Sequence, residues 1–236
     1  MRVPGIAAQL RRWRPDIVAL SEFRGTPASQ NLAASLAKQG LRHQLSAVIP
    51  GQLAANAVFI ASRSALDQVR LRHAPVEPGR WLLARLQNGP YLGVMHAPNY
   101  VTGRKLAFFE SVLRLTHGWQ AGPAMIGGDT NTGVPPLDGP SASFHNWEVD
   151  WIAQLQERGW ADAFRVRYPR TAAPTWYSPN RQTGYRLDQI FVHRDLHGAM
   201  RSVRHRWGAT VPKPSPDTAR RESLSDHAAM LIDLDL

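Results

Sequence analysis

Short apolar runs of strand length recur along the chain, and polar side chains stand at their ends. Residues 16–23 read DIVALSEF, and Glu22 lies near the end of this run. Residues 91–96 end at His96, and residues 124–127 lead into a glycine-flanked turn. Runs of four to eight β-prone residues predict strands. We therefore expect Glu22 at the rim of a sheet and His96 at the end of a strand.

Segments with helical periodicity separate these runs, and the helix that carries Ile6, Leu10 and Trp13 ends before Pro15. The predicted helices cover residues 5–14, 28–40, 104–117 and 147–158, and the predicted strands cover residues 16–23, 43–49, 57–61, 81–87, 91–96, 124–127, 187–193 and 228–236. Residues 211–225, rich in proline, arginine and serine, predict an exposed loop. Strands mixed with helices predict an α/β or α+β fold of two packed sheets with helices outside.

The length and composition are those of a folded domain. The 236 residues are 43% hydrophobic and 19% charged, which excludes a disordered chain or a coiled coil and favours one domain over residues 1–236. No apolar stretch approaches the roughly 20 residues needed to cross a bilayer, and the first residues lack the pattern of a secretory signal. We therefore expect a cytoplasmic monomer without a membrane span.

The charged residues and the absence of cysteine restrict the partners. Without cysteine, a metal must be bound by carboxylate, amide or imidazole groups, and oxygen ligands favour Mg2+ or Mn2+. Lys+Arg number 28 against 18 Asp+Glu, and the net charge of +10 favours a polyanion such as nucleic acid. The basic residues are nearly all arginine, however, and codon bias would give the same excess.

The segment MIGGDTNTG at residues 125–133 joins a buried strand to a turn that displays Asp129 and Asn131 two positions apart. Alternation along the chain can aim both side chains at one cavity. A carboxylate there can orient and deprotonate a water molecule, and a nearby amide can donate to a phosphate oxygen. Aspartate, asparagine, threonine and glycine also form turns for backbone reasons alone. The segment by itself leaves both interpretations open.

Three further segments carry side chains of the same chemistry. Asp226 and His227 in SLSDHAAM precede the last strand and set a metal-type carboxylate beside an imidazole that could face a phosphate. Asp188 in RLDQIFV begins a strand, where a carboxylate could hold a histidine in one tautomer. Glu22 supplies a second hard oxygen ligand. The ordinary alternatives are a capped loop, a strand-end aspartate and a solvated rim glutamate.

Taken together and in this order, PDIVALSEF, VMHAPN, GGDTNTG, YRLDQIF and LSDHAAM resemble the endonuclease/exonuclease/phosphatase superfamily. That superfamily includes exonuclease III-like and DNase I-like nucleases, inositol phosphatases and sphingomyelinases. The resemblance spans residues 15–236. It implies a four-layer α/β/β/α sandwich, two packed mixed β-sheets flanked by helices, with catalysis at a rim where strand ends converge. It also implies metal-dependent hydrolysis of phosphodiester bonds by in-line attack of water.

The resemblance gives each residue of the turn and of the metal site a role. Glu22 looks like the metal-binding glutamate, and Asp226 looks like a further metal-site carboxylate. Asp129 resembles the residue that activates the water. Asn131 resembles the neighbouring amide that contacts the phosphate.

The histidines and their neighbours also have counterparts in the superfamily. His227 resembles the histidine that contacts the scissile phosphate, and Asp188 resembles the carboxylate paired with it. His96 stands where DNase-like members have a histidine and the repair endonucleases have a tyrosine. It is a candidate acid for the leaving oxygen, or a partly buried histidine hydrogen-bonded at a strand end. Asn99, after Pro98, resembles the repair enzymes instead.

The beginning of the chain departs from the superfamily pattern. Members usually begin with a strand that ends in a metal-site asparagine, whereas residues 1–4 contain no asparagine and are too short for a strand. Either the start codon is assigned too late or this strand has been lost. In the second case we expect an exposed edge or gap in the first sheet, reduced metal affinity and even an inactive protein.

The substrate is predicted from residues around the expected site. Trp176 and Tyr177 could stack on a base or sugar, although such aromatics are more often packing residues. Arg104, Arg181 and Arg186 could contact flanking phosphates. We therefore expect a nuclease that acts on DNA. The alternatives are a lipid or small-molecule phosphoesterase of the same fold, and a truncated, non-catalytic nucleic-acid-binding module.

Overall fold

The computed structural model describes residues 2–75, 77–180, 183–208 and 224–236. Within them the helices are α1 (Arg2–Trp13), α2 (Pro27–Lys38), α3 (Lys105–Thr116), α4 (Asn146–Glu157) and α5 (Ala163–Arg167). The strands are β1 (Ile17–Phe23), β2 (His43–Ser46), β3 (Ala57–Ser62), β4 (Leu66–Gln68), β5 (Trp81–Leu86), β6 (Tyr91–His96), β7 (Ala124–Asp129), β8 (Trp160–Asp162), β9 (Trp176–Tyr177), β10 (Gly184–Tyr185), β11 (Asp188–His193), β12 (Met200–Arg206) and β13 (Ala229–Leu234).

Each predicted helix and strand is present with ends shifted by no more than a few residues. The sequence pattern does not predict α5, β4, β8, β9, β10 and β12, most of which are too short to show a periodicity. The loop expected at residues 211–225 falls mostly outside the described residues.

The strands form one large sheet and smaller pieces packed on it. The large sheet has the order β4-β5-β6-β7-β11-β8, with β6 and β7 parallel and the other pairs antiparallel. A three-stranded antiparallel sheet, β1-β3-β2, lies over its first half, and the β12-β13 pair contacts α5 and β11. Helices α1 and α2 cover the small sheet, and α3 and α4 cover the opposite face of the large sheet. This confirms the predicted four-layer sandwich.

Strand β3 shows why the layers form, because all of its residues are buried. Val58 and Ile60 face the large sheet and pack in the core between the two sheets. Phe59 and Ala61 point the other way and pack under α1 and α2. Since side chains alternate along a strand, one continuous apolar run serves two cores.

The helices are short and serve as covers for the sheets. The four main helices have 12 residues each, and α1 packs against α2. In the described part of the chain, no helix combines the length and apolar character that a bilayer span requires.

The layer that contains β1 and β13 consists of two separate pieces. Among the described residues, β1 pairs with β3 alone and β13 pairs with β12 alone. Strand β1 lies over β6 and β7, and β13 lies over the next strand, β11. Ala19 in the middle of β1 is exposed, and the apolar residues of β13 are only half-buried. In the described part of the chain, β1 and β13 therefore each have one unpaired edge, as expected for a first sheet with a gap.

Candidate active site

Three neighbouring strands of the large sheet bring their polar end residues together. In the parallel pair β6-β7, His96 lies opposite Asp129, and in the antiparallel pair β7-β11, Asp188 lies opposite Asp129. Nε2 of His96 is 3.6 Å from Oδ2 of Asp129, and the Asp129 residue is only 7% exposed. Strand register therefore fixes the order His96, Asp129, Asp188 across one rim.

The two glycines before Asp129 allow this close approach. Gly128 has a φ of 138°, and a Cβ atom at this position would lie 2.0 Å from the backbone oxygen of Met95. A side chain here would push β7 away from β6, and the left-handed backbone is open to glycine at little cost. The GGD sequence therefore seats Asp129 deep between β6 and β11.

Asn131 mainly holds Asp129 in place. Its backbone N–H donates to Oδ1 of Asp129 (2.9 Å), and its Nδ2 donates to the backbone oxygen of Ala97 (2.9 Å) and to Oδ2 of Asp129 (3.3 Å). Nζ of the buried Lys105 donates to the backbone oxygen of Asn131 (2.6 Å) and pairs with Glu148. The segment thus forms an Asx-type turn and also lines a cavity, so the two interpretations of its sequence are compatible.

Asp188 and His227 form a hydrogen-bonded pair. Nδ1 of His227 and Oδ2 of Asp188 are 2.8 Å apart. A β-bridge to Trp176 and a bond from the His227 backbone N–H to Oγ of Ser225 (3.1 Å) hold the histidine in position. Burial opposes the charged ring, but the charge and hydrogen bond of Asp188 outweigh it and raise the pKa of His227 to about 10. His227 is therefore a cation at neutral pH, with Nδ1 occupied by Asp188.

In Asp129, by contrast, the surroundings favour the uncharged form. Burial and then the negative charge of Asp188 raise the pKa of Asp129 to about 7, while His227 and the bond from the Asn131 backbone act to lower it. A carboxylate with a pKa near neutrality can both accept and release a proton, as a general base requires.

His96 differs from its expected chemistry. Burial, followed by the positive charges of Arg80 and His227, lowers the pKa of His96 to about 4. Nη1 of Arg80 donates to the backbone oxygen of His96 (3.1 Å), so this cation is fixed beside the ring. Since a neutral imidazole can donate a hydrogen bond but is a weak proton donor, this environment does not support the predicted role of His96 as the acid.

Glu22 lies on the other side of the cavity, at an irregularity of β1. The register between β1 and β3 shifts between Leu20 and Phe23, and Glu22 has a φ of 56°. Such bulges redirect a side chain at the end of a strand. Nδ2 of Asn56 donates to Oε1 of Glu22 (3.0 Å), and Nε of Arg24 donates to Oδ1 of Asn56 (2.7 Å). Glu22 is otherwise exposed.

A cavity of about 560 Å³ joins these groups. Its lining consists of Glu22, Asn56, Arg80, His96, Asn99, Asp129, Asn131, Phe144, Trp176, Tyr185, Leu187, Asp226 and His227. Nine of these side chains are polar or charged and three are aromatic. The structure therefore brings the predicted Asn99, Trp176 and Asp226 into the same cavity as Asp129.

The donors around the cavity fit a hard divalent cation. Asp129, Asp188 and His227 carry potential ligand atoms within 4.8 Å of one another. A protonated His227 whose Nδ1 is bound to Asp188 cannot bind a metal, however. The carboxylates of Glu22 and Asp226 also line the cavity, and oxygen ligands of this kind suit Mg2+ or Mn2+ rather than a softer metal.

Two predicted substrate residues lie elsewhere. Arg186 is 1% exposed, its Nε donates to Oδ1 of Asp138 (2.7 Å), and its Nη2 donates to Oδ2 of Asp162 (2.5 Å). The expectation that Arg186 contacts a substrate phosphate is therefore corrected, because the guanidinium is buried between two carboxylates. Tyr177 does not line the cavity and stacks on Trp207 instead (5.8 Å between ring centroids).

Of the other two predicted arginines, only Arg104 is among the described residues. Arg104 is exposed, forms an ion pair with Glu77 and is not part of the cavity lining. Arg181 lies outside the described residues.

Sequence reasoning missed Arg80, Asn56 and the supporting Lys105. Arg80 immediately precedes β5 and Asn56 immediately precedes β3, so both lie at the rim that carries His96 and Glu22. The register of the predicted hairpin at residues 81–96 already places Arg80 opposite His96, and this signal could have found it. Lys105 shows no comparable signal, because only the packing of α3 against α4 brings it to Glu148.

Comparison with known proteins identifies the family of the chain. The sequence model of the Endonuclease/Exonuclease/phosphatase family matches residues 3–227, and the chain belongs to that family. The family defines the coarse activity, which is hydrolysis of phosphoester bonds. No curated protein matches the chain.

Solved structures share the fold. An AP endonuclease from Archaeoglobus fulgidus is 20% identical with a TM-score of 0.78, and the alignment covers 99% of this chain and 94% of the other. A 3′-5′ exonuclease from Neisseria meningitidis is 23% identical with a TM-score of 0.75, over 100% and 95% of the two chains. A Neisseria 3′ phosphatase bound to a product DNA hairpin is 24% identical with a TM-score of 0.74, over the same shares.

Proposed function

We propose that this chain is a divalent-metal-dependent phosphodiesterase that acts on DNA, with Asp129 as the general base. One observation carries the proposal: Asp129 lies between Asp188 and His96 at one rim of the large sheet, and Asp188 holds a cationic His227 in the same cavity. A base with a pKa near 7 beside a fixed cation suits the attack of water on a phosphate.

The proton transfer follows from the contacts of Asp129. Asn131 donates to both of its oxygens, which fixes the plane of the carboxylate. The carboxylate orients a water molecule and accepts its proton as the water attacks phosphorus. No covalent bond between enzyme and substrate is required, because the nucleophile is water.

His227 and Arg80 stabilise the negative charge that develops on the phosphate. Nδ1 of His227 is bound to Asp188, so Nε2 is the nitrogen that donates to a phosphate oxygen. Arg80 supplies a second cation on the His96 side of the cavity. Hydrogen bonds from charged groups strengthen as the transition state gains negative charge.

Glu22 and Asp226 are the residues that we propose to hold a divalent cation. Such a cation, when bound, neutralises charge on the phosphate and on the leaving oxygen. Asn56 supports this role because it holds Oε1 of Glu22 through a 3.0 Å hydrogen bond.

Charge and ring surface favour nucleic acid as the substrate. The chain carries a net charge of +10, and the similar Neisseria structure contains a product DNA hairpin. Trp176, Phe144 and Tyr185 line the cavity and offer faces on which a base or sugar can stack. A nucleotide unit combines the phosphate and the flat ring that such a lining fits.

The test compares substrate classes under one set of conditions. Plasmid DNA, a duplex with an abasic site, a phospholipid and an inositol phosphate are each incubated with Mg2+, with Mn2+ and with a chelator. We expect metal-dependent cleavage of DNA whose rate falls as salt increases, because phosphate contacts release counterions.

Other outcomes would redirect the proposal. Salt-insensitive turnover of the lipid or the inositol phosphate, without cleavage of DNA, would identify the chain as a lipid or small-molecule phosphoesterase of the same fold. DNA binding without any hydrolysis or metal binding would identify a non-catalytic module.

A further inference from the structure

A second cavity lies at the opposite end of the small sheet. It has a volume of about 580 Å³ and is lined by Arg11, Arg14, Ser35, Lys38, Gln39 and Arg63. Arg14 precedes the first residue of β1 and Arg63 follows the last residue of β3, whereas Glu22 lies at the other end of β1. Seven residues of strand separate the two ends by roughly 20 Å. This basic cavity is therefore distinct from the candidate active site.

Arg63 is fixed at the wall of the basic cavity. Its Nε donates to the backbone oxygen of Pro15 (3.2 Å), and its Nη1 donates to the backbone oxygen of Gln39 (2.9 Å). Gly40 has a φ of 98°, and a Cβ atom there would lie 2.5 Å from Nη1. The glycine thus makes room for a guanidinium that two carbonyl oxygens hold in one orientation.

Arg14 enters the cavity from a strained position. Its φ is 54°, which is uncommon for a residue other than glycine, and its N–H donates to the backbone oxygen of Leu10 (2.9 Å) at the end of α1. Backbone strain of this kind is concentrated at functional positions. It turns the chain from α1 into β1 beside Arg63.

The cations of the basic cavity are not neutralised by nearby acids. Among the described residues, no carboxylate oxygen lies within 4.0 Å of Arg11, Arg14 or Lys38. The carboxylate of Asp16 is 3.7 Å from Nε of Arg63, but its side chain is 90% exposed. Among the described residues, four positive charges therefore surround a concave space, with one solvated negative charge at its edge.

Helix ends explain only part of this cluster. Arg11 and Lys38 lie in the last turns of α1 and α2, where the helix dipole favours cations. Arg14 and Arg63 lie outside both helices. Their convergence with the other two needs a further reason.

We propose that the basic cavity is a second binding site for a phosphate group, either free in solution or in the backbone of a nucleic acid. The fixed guanidinium of Arg63 matches the geometry of phosphate oxygens, and Arg11, Arg14 and Lys38 add positive charge around the same space. A nucleic acid bound at this site would be contacted about 20 Å from the candidate active site. The proposal does not depend on catalysis.

The test is a double substitution that leaves the anchored guanidinium intact. Arg14→Asn with Lys38→Gln removes two charges, and asparagine tolerates the left-handed backbone at position 14. Arg114→Gln with Arg201→Gln is the matched control, because both arginines are exposed and each pairs with a carboxylate away from the cavity. Thermal unfolding of both variants checks that they fold, and the single variant Arg11→Gln is a milder second probe.

Two measurements in the absence of metal distinguish the sources of phosphate. Inorganic phosphate is titrated while the NMR signal of the Arg63 Nε–H is followed, and a labelled duplex DNA is bound at several salt concentrations. We expect the double variant to reduce the phosphate-induced shift of the Arg63 Nε–H signal at least tenfold. If the ligand is a nucleic acid, the slope of log K for DNA binding against log salt concentration should also become smaller by about 1 to 2.

Each outcome decides the proposal. Loss of the phosphate response together with a smaller salt slope supports a nucleic-acid backbone as the ligand. Loss of the phosphate response with unchanged DNA binding supports a free phosphate compound. A double variant that matches the control in both measurements overturns the proposal.

Discussion

Asp129 and Glu22 line the same cavity, yet they are held in very different ways. Asp129 is buried on a strand that is paired on both sides, and its neighbours His96 and Asp188 occupy matching register positions. Glu22 is exposed at a bulge of β1, a strand that in the described residues is paired on one side only. We call these the inner and the outer half of the site, and Asp226 belongs to the outer half.

The difference shows what orders a catalytic group. Residues on adjacent paired strands are positioned by backbone hydrogen bonds, so the inner half needs no ligand to adopt its geometry. The outer half draws Glu22 from β1 and Asp226 from the turn before β13, and these strands belong to separate pieces of sheet. We therefore expect the inner half to determine the rate and the outer half to determine the metal requirement.

The largest effect is expected for Asp129→Asn. Without the general base, kcat for DNA cleavage should fall about 10³-fold, because a positioned base typically contributes 10²-fold to 10⁴-fold. A gel assay at saturating metal measures the rate, and Asp16→Asn, at a 90% exposed side chain, is the control. A rate within threefold of the unmodified protein would exclude Asp129 as the base.

A smaller loss is expected for Asp188→Asn. Removing the partner of His227 should lower the pKa of that histidine and reduce kcat about 10²-fold, since the cation that faces the phosphate is lost near neutrality. Asp195→Asn is the matched control, because Asp195 pairs with His193 outside the cavity (3.2 Å). An undiminished rate in Asp188→Asn would refute the pairing as part of the mechanism.

The outer half should respond differently. Glu22→Gln should raise the Mn2+ concentration at half-maximal rate about tenfold while most of kcat returns at saturating metal, because ligand changes act first on metal affinity. Glu110→Gln on the exposed face of α3 controls for the change in charge. A loss of kcat that excess metal does not restore would contradict the division into two halves.

The smallest effect is expected in the dependence of stability on pH. The pKa of His227 is raised from 6.5 to about 10 in the folded protein, so the native state binds this proton more tightly than the unfolded chain. Its stabilisation is complete below about pH 6.5 and is lost as the pH rises through about 10.

This loss can be isolated by comparison with a variant. We expect the free energy of unfolding of the metal-free protein to fall on the order of 1 kcal/mol more than that of Asp188→Asn between these pH values. Urea unfolding across the range measures it. Parallel pH curves for the two proteins would show that the pair does not stabilise the charged histidine.

The sequence predicted much of the fold because its signals are local. The run at residues 57–61 is apolar throughout and forms a fully buried strand, and the strand predicted at residues 124–127 is present, although it continues to Asp129. The motifs also named most of the residues that line the cavity. Periodicity and turn chemistry act over a few residues, so they can be read without knowledge of the partners.

The residues whose role was missed or changed depend on distant neighbours. Arg186 was predicted to contact the substrate because arginine binds phosphate, yet its guanidinium is buried against Asp138, 48 positions away. Tyr177 was expected to face the substrate, but its ring stacks on Trp207 and does not line the described cavity. Burial and then the charge of Arg80, 16 positions earlier, lower the pKa of His96, an environment that does not support its predicted role as the acid. Charge and burial at these positions are set by contacts that no local pattern contains.

By itself the sequence determined the order of the four main helices and of eight strands, the family and most of the polar residues at one rim of the sheet. Only the tertiary structure decided which of them contact one another and which charges they carry. The reason is that local propensities depend on neighbours along the chain. Register, burial and pKa values depend on strands and side chains that come together only when the chain folds.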